Sequence, residues 1–319
     1  MLHILRYLCR SWGVLPASCT LQGKVEFTEL PSLAHEDFCE LRRGTWRSKE
    51  VVIKVMHPGA SHWARDVKKE LSMGPILGRH LKHRNLLPLY GVCAGVKFTD
   101  SGKSTEHPYP CFVVPWMKNG NIRDFVRKNT TFDRFKLLVD VCEGLNYLHS
   151  EGFAHGCLDW QSVLVDDEQR ACLADFCFRG ALGFSEAYFP ATTTLDGFSV
   201  SGIYMAPERL ASPAAPTRKP TDVHELGTLI LEVLTFDQSW RDVVEFPITG
   251  NLKPPSWVPI PDHPIWDLVK RCWIREPEKR PQMAEILETL TSPGMTFPMV
   301  WPLPVTPASP SPPSDSISS

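Results

Sequence analysis

The sequence predicts an α+β protein in which strands precede helices. Residues 18–56 contain short runs with alternating apolar and polar positions and many β-branched side chains, which are typical of strands. Phe132–His149 instead places apolar residues at helical spacing, broadly enough for a buried helix. Thr221–Thr235 is rich in apolar residues and begins with a good helix N-cap, Thr221. With 319 residues, 43% of them hydrophobic, the chain can bury a sizeable core in one large or two medium domains.

Three strand-like runs occupy the N-terminal part of the chain. They read CTLQGKVEFTEL, FCELRRGTW and EVVIKVM, and we expect Gly44 to lie at a turn between two of them. Further on, NLLPLYGVCAGVKF and YPCFVVPWM predict a β-hairpin whose strands are joined by a polar loop over Thr99–Pro108.

The stretch His155–Cys177 reads HGCLDWQSVLVDDEQRACLADFC. Its apolar runs, Ser162–Val165 and Ala171–Ala174, predict a β-hairpin, and Asp175-Phe176-Cys177 follows. The stretch resembles the catalytic loop and the metal-binding loop of protein kinases, whose usual patterns are H-R-D-x-K-x-x-N and D-F-G.

Other motifs extend this resemblance over residues 20–291. The matching positions, in the order usual for the family, are Lys54, His155, Asp175-Phe176, Ala206-Pro207-Glu208, Asp222, Gly227 and Arg280. Cys272-Trp273, Pro277 and Arg280-Pro281 fit the C-W-x(3)-P-x(2)-R-P signature of tyrosine kinases and the tyrosine-kinase-like group.

The resemblance implies a two-lobed protein-kinase fold. Residues 18–117 would form the small β-rich lobe, and residues 118–291 the larger helical lobe. Residues 1–17 would be an N-terminal extension with a short helix, and the Pro/Ser-rich residues 292–319 a disordered tail. It also implies that Glu208 pairs with Arg280 and that Asp222 binds the backbone of the catalytic loop.

The resemblance further implies a site for ATP and Mg²⁺. Lys54 would pair with the phosphates, and Glu70 is its candidate partner on the next helix. Glu70 lies thirteen residues before His83, where the family usually has nine, and Gly74-Pro75 should end or kink the helix, so the pair stays open. The other implied contacts are the Met117 backbone with adenine, Asp124 with a ribose hydroxyl and Asp175 with magnesium. Asp124 has an alternative role as a helix-dipole partner.

Several positions depart from the family's pattern. Cys157 stands at the catalytic base, Asp159 at the following lysine, Ser162 at the metal-binding asparagine, Cys177 at the glycine of D-F-G and Gly156 at the arginine. A neutral thiol is a poor base, and Ser162 offers magnesium only a hydroxyl. Asp159 is a weak candidate to orient the substrate hydroxyl instead. The phosphate-binding turn reads L-A-H-E-D-F, with two acidic residues and no glycine.

Composition limits the remaining function classes. The net charge of −2 gives no general attraction to nucleic acid or to anionic membranes. The ten cysteines form no CxxC pair, which favours reduced thiols in a cytoplasmic protein over zinc ligands or a disulfide scaffold. The apolar start, MLHILRYLCRSWGVL, is too short to span a membrane and favours a helix that packs on the domain or on a partner.

These residues favour a catalytically impaired pseudokinase that serves in signalling or scaffolding, with protein partners and weak or absent binding of ATP and Mg²⁺. The alternative is an active but divergent protein kinase that uses Lys54 and Asp175. A small-molecule kinase is a weaker third hypothesis, because the A-P-E and C-W…R-P motifs belong to protein kinases.

Overall fold

The structure is a computed structural model that describes residues 2–12, 15–23, 25–27, 34–35, 39–56, 74–93, 97–100, 103–106, 111–176, 194–195, 198–199, 204–212, 218–235, 263–293 and 295. Its strands are β1 (Val25–Phe27), β2 (Ala34–His35), β3 (Cys39–Trp46), β4 (Lys49–Met56), β5 (Gly91–Cys93), β6 (Lys97–Asp100), β7 (Lys103–Glu106), β8 (Cys111–Pro115), β9 (Val163–Val165), β10 (Ala171–Leu173), β11 (Thr194–Leu195) and β12 (Phe198–Ser199). Its helices are α1 (Leu2–Trp12), α2 (Gly74–His80), α3 (Ile122–Lys128), α4 (Arg134–Ser150), α5 (Pro207–Ala211), α6 (Lys219–Thr235), α7 (Ile265–Cys272) and α8 (Met283–Leu290).

An antiparallel sheet forms the core of the N-terminal lobe. Its strand order is β1-β3-β4-β8-β5, and β2 pairs with a further part of β3. Side chains alternate across β4, so that Val51, Ile53 and Val55 pack on one face while Val52 and Lys54 lie on the other. The alternation places Lys54 on the same face as Phe112 and Val114 of β8.

The expectation that Gly44 lies at a turn is wrong. Gly44 is inside β3, where it pairs with Val51 on one side and Phe27 on the other. A Cβ at this position would lie 2.5 Å from Cδ1 of Ile53 and 2.6 Å from the carbonyl oxygen of Glu26. The glycine therefore allows a close approach between strands, and the chain turns three residues later, at Arg47 and Ser48, both of which have positive φ.

The predicted hairpin between β5 and β8 is present, but its connection is not a plain loop. The two strands pair from Gly91↔Val113 to Cys93↔Cys111. Between them, β6 and β7 form a separate antiparallel hairpin over part of the segment expected to be a polar loop.

The helices of the C-terminal lobe surround α6. The buried side chains of α4, α6, α7 and α8 share one continuous apolar cluster. The spacing predicts the helix now called α4 over Phe132–His149, and the structure has it at Arg134–Ser150, capped by the Asp133 side chain. The N-cap expected at Thr221 is wrong, since α6 begins at Lys219 and the Thr221 hydroxyl instead lies 3.3 Å from a Glu208 carboxylate oxygen.

Backbone hydrogen bonds fix the segments that run between the lobes. The segment after α2 forms backbone hydrogen bonds with β10, from Leu87 N–H to the Leu173 carbonyl and from Leu173 N–H to the Asn85 carbonyl, both at 2.8 Å. After β8, the Gly120 carbonyl accepts a bond from Val165 N–H at 2.9 Å. The chain that links the lobes is thereby fixed to the β9–β10 hairpin.

The helix α1 packs on the N-terminal lobe. Cys9, Cys19 and Ile76 form a small buried cluster between α1, the following turn and α2. The opposite side of α1 leaves Ile4 and Tyr7 exposed. No helix in the described ranges is long and apolar enough to cross a membrane.

The predicted pair of Glu208 and Arg280 is confirmed. The Arg280 guanidinium donates to both Glu208 carboxylate oxygens at 2.7 Å and also to the carbonyls of Ile274, Pro220 and Arg275. The Arg280 side chain is 0% exposed and the Glu208 side chain is partly exposed, so the guanidinium lies in the interior and fixes α5 against the start of α6.

We predict that Arg280→Ala lowers the free energy of unfolding by about 3–5 kcal/mol, because it leaves a half-buried carboxylate and three carbonyls without their donor. Arg271→Ala is the matched control: this arginine pairs with Glu285 at the surface and should cost about 1 kcal/mol or less. Urea unfolding of the two variants measures both values. Equal losses would contradict the interior role of Arg280.

Candidate active site

A buried carboxylate organises the loop that begins at His155. Asp222 of α6 is 0% exposed and accepts hydrogen bonds from the backbone N–H groups of His155 and Gly156, both at 2.8 Å. Its Oδ2 atom also lies 2.7 Å from Nε2 of His149. This confirms the expected bond from Asp222 to the catalytic-loop backbone.

The ring of His155 connects this loop with the strand end that carries Asp175. Its Nε2 lies 2.9 Å from the Ala174 carbonyl and its Nδ1 is 3.4 Å from the Cys157 backbone nitrogen. The carbonyl can only accept, so Nε2 carries the proton and Nδ1 accepts from Cys157 N–H. Burial lowers the pKa of His155 more than the nearby Asp222 raises it, so the ring is neutral near pH 7.

Asp159 and Ser162 bind each other in a closed turn. The Ser162 N–H donates to Oδ1 of Asp159 at 2.8 Å, and the Asp159 N–H donates to the Ser162 hydroxyl at 3.0 Å. The hydroxyl in turn donates to the Asp159 carbonyl at 2.8 Å. Both residues are buried, with 2% and 1% of their surface exposed. The two positions thus form a local hydrogen-bonded turn of the kind that Asp and Ser favour.

A second acidic side chain of α6 binds the same loop. Glu225, one helical turn after Asp222, accepts a bond from the Leu158 N–H at 2.7 Å. Burial, followed by the nearby charge of Asp222, raises the pKa of Glu225 well above its ordinary value. The loop therefore rests on two acidic side chains of α6, while Cys157 is partly exposed.

Lys54 and Asp175 form a direct ion pair. The Lys54 ammonium lies 2.6 Å from both carboxylate oxygens of Asp175. Their side chains are only 11% and 15% exposed, so solvent screens the pair weakly. Asp175 has φ of 60°, a left-handed conformation that Asp adopts more readily than most residues. Phe176 packs into the core of the C-terminal lobe and holds the aspartate in place.

The other expected nucleotide contacts have structural partners. Asp124 lies in the first turn of α3, where its backbone N–H donates to the Asn121 side chain and its carboxylate accepts from the Asn121 amide at 2.9 Å. These contacts fit the alternative role as a partner of the helix N-terminus, and the ribose contact stays a prediction. The carbonyl of Met117 accepts a bond from Gly120 N–H at 3.1 Å.

Three further expectations concern residues outside the described ranges. Glu70, Cys177 and most of the 292–319 tail belong to this group, so the pairing of Lys54 with Glu70 stays a prediction. The start of the tail is described and is ordered: Met295 is buried in the apolar cluster of the C-terminal lobe, and its N–H donates to the Ser292 carbonyl at 3.0 Å. Of the expected phosphate-binding turn, the structure describes Ala34 and His35, whose backbone pairs with β3.

Some of these residues could hold a magnesium nucleotide. Lys54 offers a cation for phosphates and Asp175 a carboxylate for the metal, although each now neutralises the other. Ser162, the second expected ligand, has its hydroxyl engaged in the turn. In the part of the chain that the structure describes, no group of three or more His, Cys, Asp or Glu side chains is arranged to hold a metal. The set therefore fits magnesium less well than the one that the resemblance implies.

A buried network that sequence reasoning missed lies beside the loop. The Glu232 carboxylate of α6 is hydrogen-bonded to the Tyr204 hydroxyl and lies 3.4 Å from the Arg123 guanidinium. Arg123 also stacks over the ring of Trp160, 5.1 Å from its centre. Burial outweighs the attraction of Arg123 and raises the pKa of Glu232 to about 8. An acidic residue within the apolar run L-I-L-E-V-L was the available signal.

Known proteins share this sequence pattern. A family model described as protein tyrosine and serine/threonine kinase matches residues 27–290. Serine/threonine-protein kinase STY17 of Arabidopsis thaliana is 26% identical over 289 residues, which are 86% of this chain and 46% of the relative. STY46 of the same species is 26% identical over 81% of this chain and 42% of its own length. A probable serine/threonine-protein kinase of Dictyostelium discoideum is 30% identical, over 83% of this chain and 16% of its own. The chain spans less than half the length of each of these relatives.

We predict that Glu232→Gln removes a pH dependence of stability. The unfolded carboxyl loses its proton near its ordinary pKa of 4.5, but the folded one keeps it to about pH 8, so the folded state binds the extra proton between these values. Wild-type stability should therefore fall, relative to the variant, by up to about 1.4 kcal/mol per pH unit as the pH rises through this window. Urea unfolding at several pH values measures the difference. Glu288→Gln, an exposed position on α8, is the control, and parallel curves for wild type and Glu232→Gln would refute the assignment.

Proposed function

The chain belongs to the protein tyrosine and serine/threonine kinase family, and we propose that it is a pseudokinase, which serves as a signalling or scaffolding module and transfers phosphate poorly or not at all. The observation that carries this proposal is the closed turn of Asp159 and Ser162. Phosphoryl transfer needs a group that orients the attacking hydroxyl and oxygen ligands that hold the metal. Asp159, the candidate to orient the hydroxyl, and Ser162, the candidate second metal ligand, bind each other in the interior.

The turn argues specifically against a rescue by Asp159. For that role its carboxylate would have to reach the substrate hydroxyl, which requires exposure to the cleft. The side chain is 2% exposed, and one of its oxygens already accepts the Ser162 N–H. Cys157, at the position of the base, carries a thiol, and loss of a positioned base alone typically lowers the rate ~10²–10⁴-fold.

The Lys54–Asp175 pair supports weak or absent binding of ATP and Mg²⁺. A nucleotide would have to draw Lys54 toward its phosphates, and magnesium would have to draw Asp175 toward itself. Both charges already have a strong partner at 2.6 Å in a poorly solvated place, so binding must replace a formed interaction.

The retained frame supports a role in binding proteins. Arg280, Glu208 and Asp222 hold the C-terminal lobe and its loop in shape, while the groups that would act on phosphate are substituted. A fold maintained in this way offers a defined surface to protein partners without requiring catalysis. We extend the proposal to a cytoplasmic location, in keeping with the reduced thiols in the described part of the chain.

The second candidate is an active, divergent protein kinase. It is favoured by the relatives, which carry the names of serine/threonine kinases, and by the retention of Lys54 and Asp175. It requires that the ion pair opens when a magnesium nucleotide binds.

We predict that millimolar ATP with Mg²⁺ shifts the thermal midpoint of the protein by less than about 1 °C. A ligand adds little stability when its dissociation constant exceeds its concentration. Differential scanning fluorimetry with and without ATP and Mg²⁺ measures the shift, and Lys54→Met provides the reference without the phosphate partner. A rise of several degrees in the wild type that disappears in Lys54→Met would favour the second candidate.

We also predict that the wild type transfers no more radiolabelled phosphate from ATP, to itself or to a generic protein substrate, than Lys54→Met does. The reason is that a thiol stands at the position of the base, a hydroxyl stands at the position of the second metal ligand, and Lys54 and Asp175 neutralise each other. Scintillation counting of the protein bands makes the comparison. Transfer by the wild type that is abolished in Lys54→Met would show an active kinase.

A further inference from the structure

Two cysteines face each other across neighbouring strands of the N-terminal sheet. Cys93, the last residue of β5, is the direct partner of Cys111, the first residue of β8. Their thiols are hydrogen-bonded to each other, and Sγ of Cys93 also lies 3.7 Å from the Cys111 carbonyl oxygen. Both side chains lie on the sheet face of Val51 and Val113, away from Lys54.

This placement meets the geometric demands of a disulfide. Directly opposed residues of an antiparallel pair have Cα atoms about 4.5–5.5 Å apart. A disulfide tolerates Cα separations of about 4.4–6.8 Å, so the Cα spacing of this pair suits a disulfide. The Cys93 sulfur also lies 3.7 Å from the Cys111 carbonyl oxygen, so its side chain points toward the neighbouring strand.

The two thiols are chemically unequal. Cys93 is partly exposed, and its hydrogen bond from the Cys111 thiol lowers its pKa despite partial burial. Cys111 is 0% exposed, and the same hydrogen bond together with burial raises its pKa. Cys93 is therefore the thiol that reacts first, since the thiolate is the nucleophile and needs access to its reagent.

We propose that Cys93 and Cys111 form a reversible thiol–disulfide site that is oxidised by a low-molecular-weight disulfide such as oxidised glutathione. The Cys93 thiolate attacks one sulfur of the glutathione disulfide and releases one glutathione thiolate, which takes up a proton. The Cys111 sulfur then attacks Sγ of Cys93, loses its proton and releases the second glutathione. Two protein thiols thus become one disulfide, and their two electrons and two protons leave with two molecules of reduced glutathione.

The bond would tie together the strands that lead into the link between the lobes. β8 continues through Trp116 and Met117 into the connection to α3, and β5 follows the segment that pairs with β10. The new covalent loop runs from 93 to 111 and includes the β6–β7 hairpin. Closing a loop of this length restricts the unfolded chain and stabilises the folded one.

Incubation of the full chain with oxidised glutathione, followed by intact-mass analysis and peptide mapping under non-reducing conditions, tests the proposal. The expected product has lost two hydrogen atoms, contains a Cys93–Cys111 linked peptide and unfolds at a temperature higher by about 5 °C or more. Reduced dithiothreitol should restore both the mass and the unfolding temperature.

Variants separate the two steps. Cys111→Ala, which keeps a small buried side chain, should stop after the first step and carry one glutathionyl group on Cys93. Cys93→Ser, at the partly exposed position, should show neither the linkage nor the thermal shift, whereas Cys19→Ser should behave as the wild type. A wild-type product with glutathione on Cys93 and no internal bond, a bond between other cysteines, or no reaction would each overturn the proposal.

Discussion

The carboxylate of Asp222 is the interaction on which the functional half of the molecule depends. It is fully buried at the start of α6. Its oxygens accept hydrogen bonds from two backbone N–H groups of the loop and contact the His149 ring. Removal of such an acceptor leaves buried donors unsatisfied, each at a cost of about 1–3 kcal/mol. Because His155 then bonds the Ala174 carbonyl, the position of the loop also sets the position of the Asp175 strand end. One side chain thus determines how the helical core, the loop and the cleft are placed together.

The two faces of the N-terminal sheet carry different chemistry. One face of the sheet lines the cleft and carries Lys54, which contacts Asp175. The other face carries Cys93 and Cys111. The period of two along β8 separates the two faces, with Phe112 and Val114 on one side and Cys111 and Val113 on the other. A change on the thiol face therefore reaches the cleft only through the backbone of the shared strands.

The sequence was sufficient for the fold class, the two long helices α4 and α6 and the pair of Glu208 with Arg280, because these depend on periodicity and on motif order. It could not reveal the Lys54–Asp175 ion pair, whose partners are 121 residues apart and are brought together only by closure of the lobes. Gly44 was misjudged because a glycine in a strand and a glycine in a turn look alike until the neighbouring backbone is known. Asp and Ser three residues apart can form a local hydrogen-bonded turn, which the sequence shows at Asp159 and Ser162. Both positions also match functional positions of the family, so their hydrogen bonds to each other were not predicted.

The turn of Asp159 and Ser162 also limits which substitutions the chain can accept during evolution. Asp159→Lys alone would remove the carboxylate that accepts the Ser162 N–H and place an ammonium group in the interior. Ser162→Asn alone would remove the hydroxyl that closes the turn and add volume to a buried site. Each single step therefore lowers stability, and because the two residues are in direct contact we expect their effects to be non-additive. The hydrogen bonds of this four-residue turn thus favour the two residues that are present now.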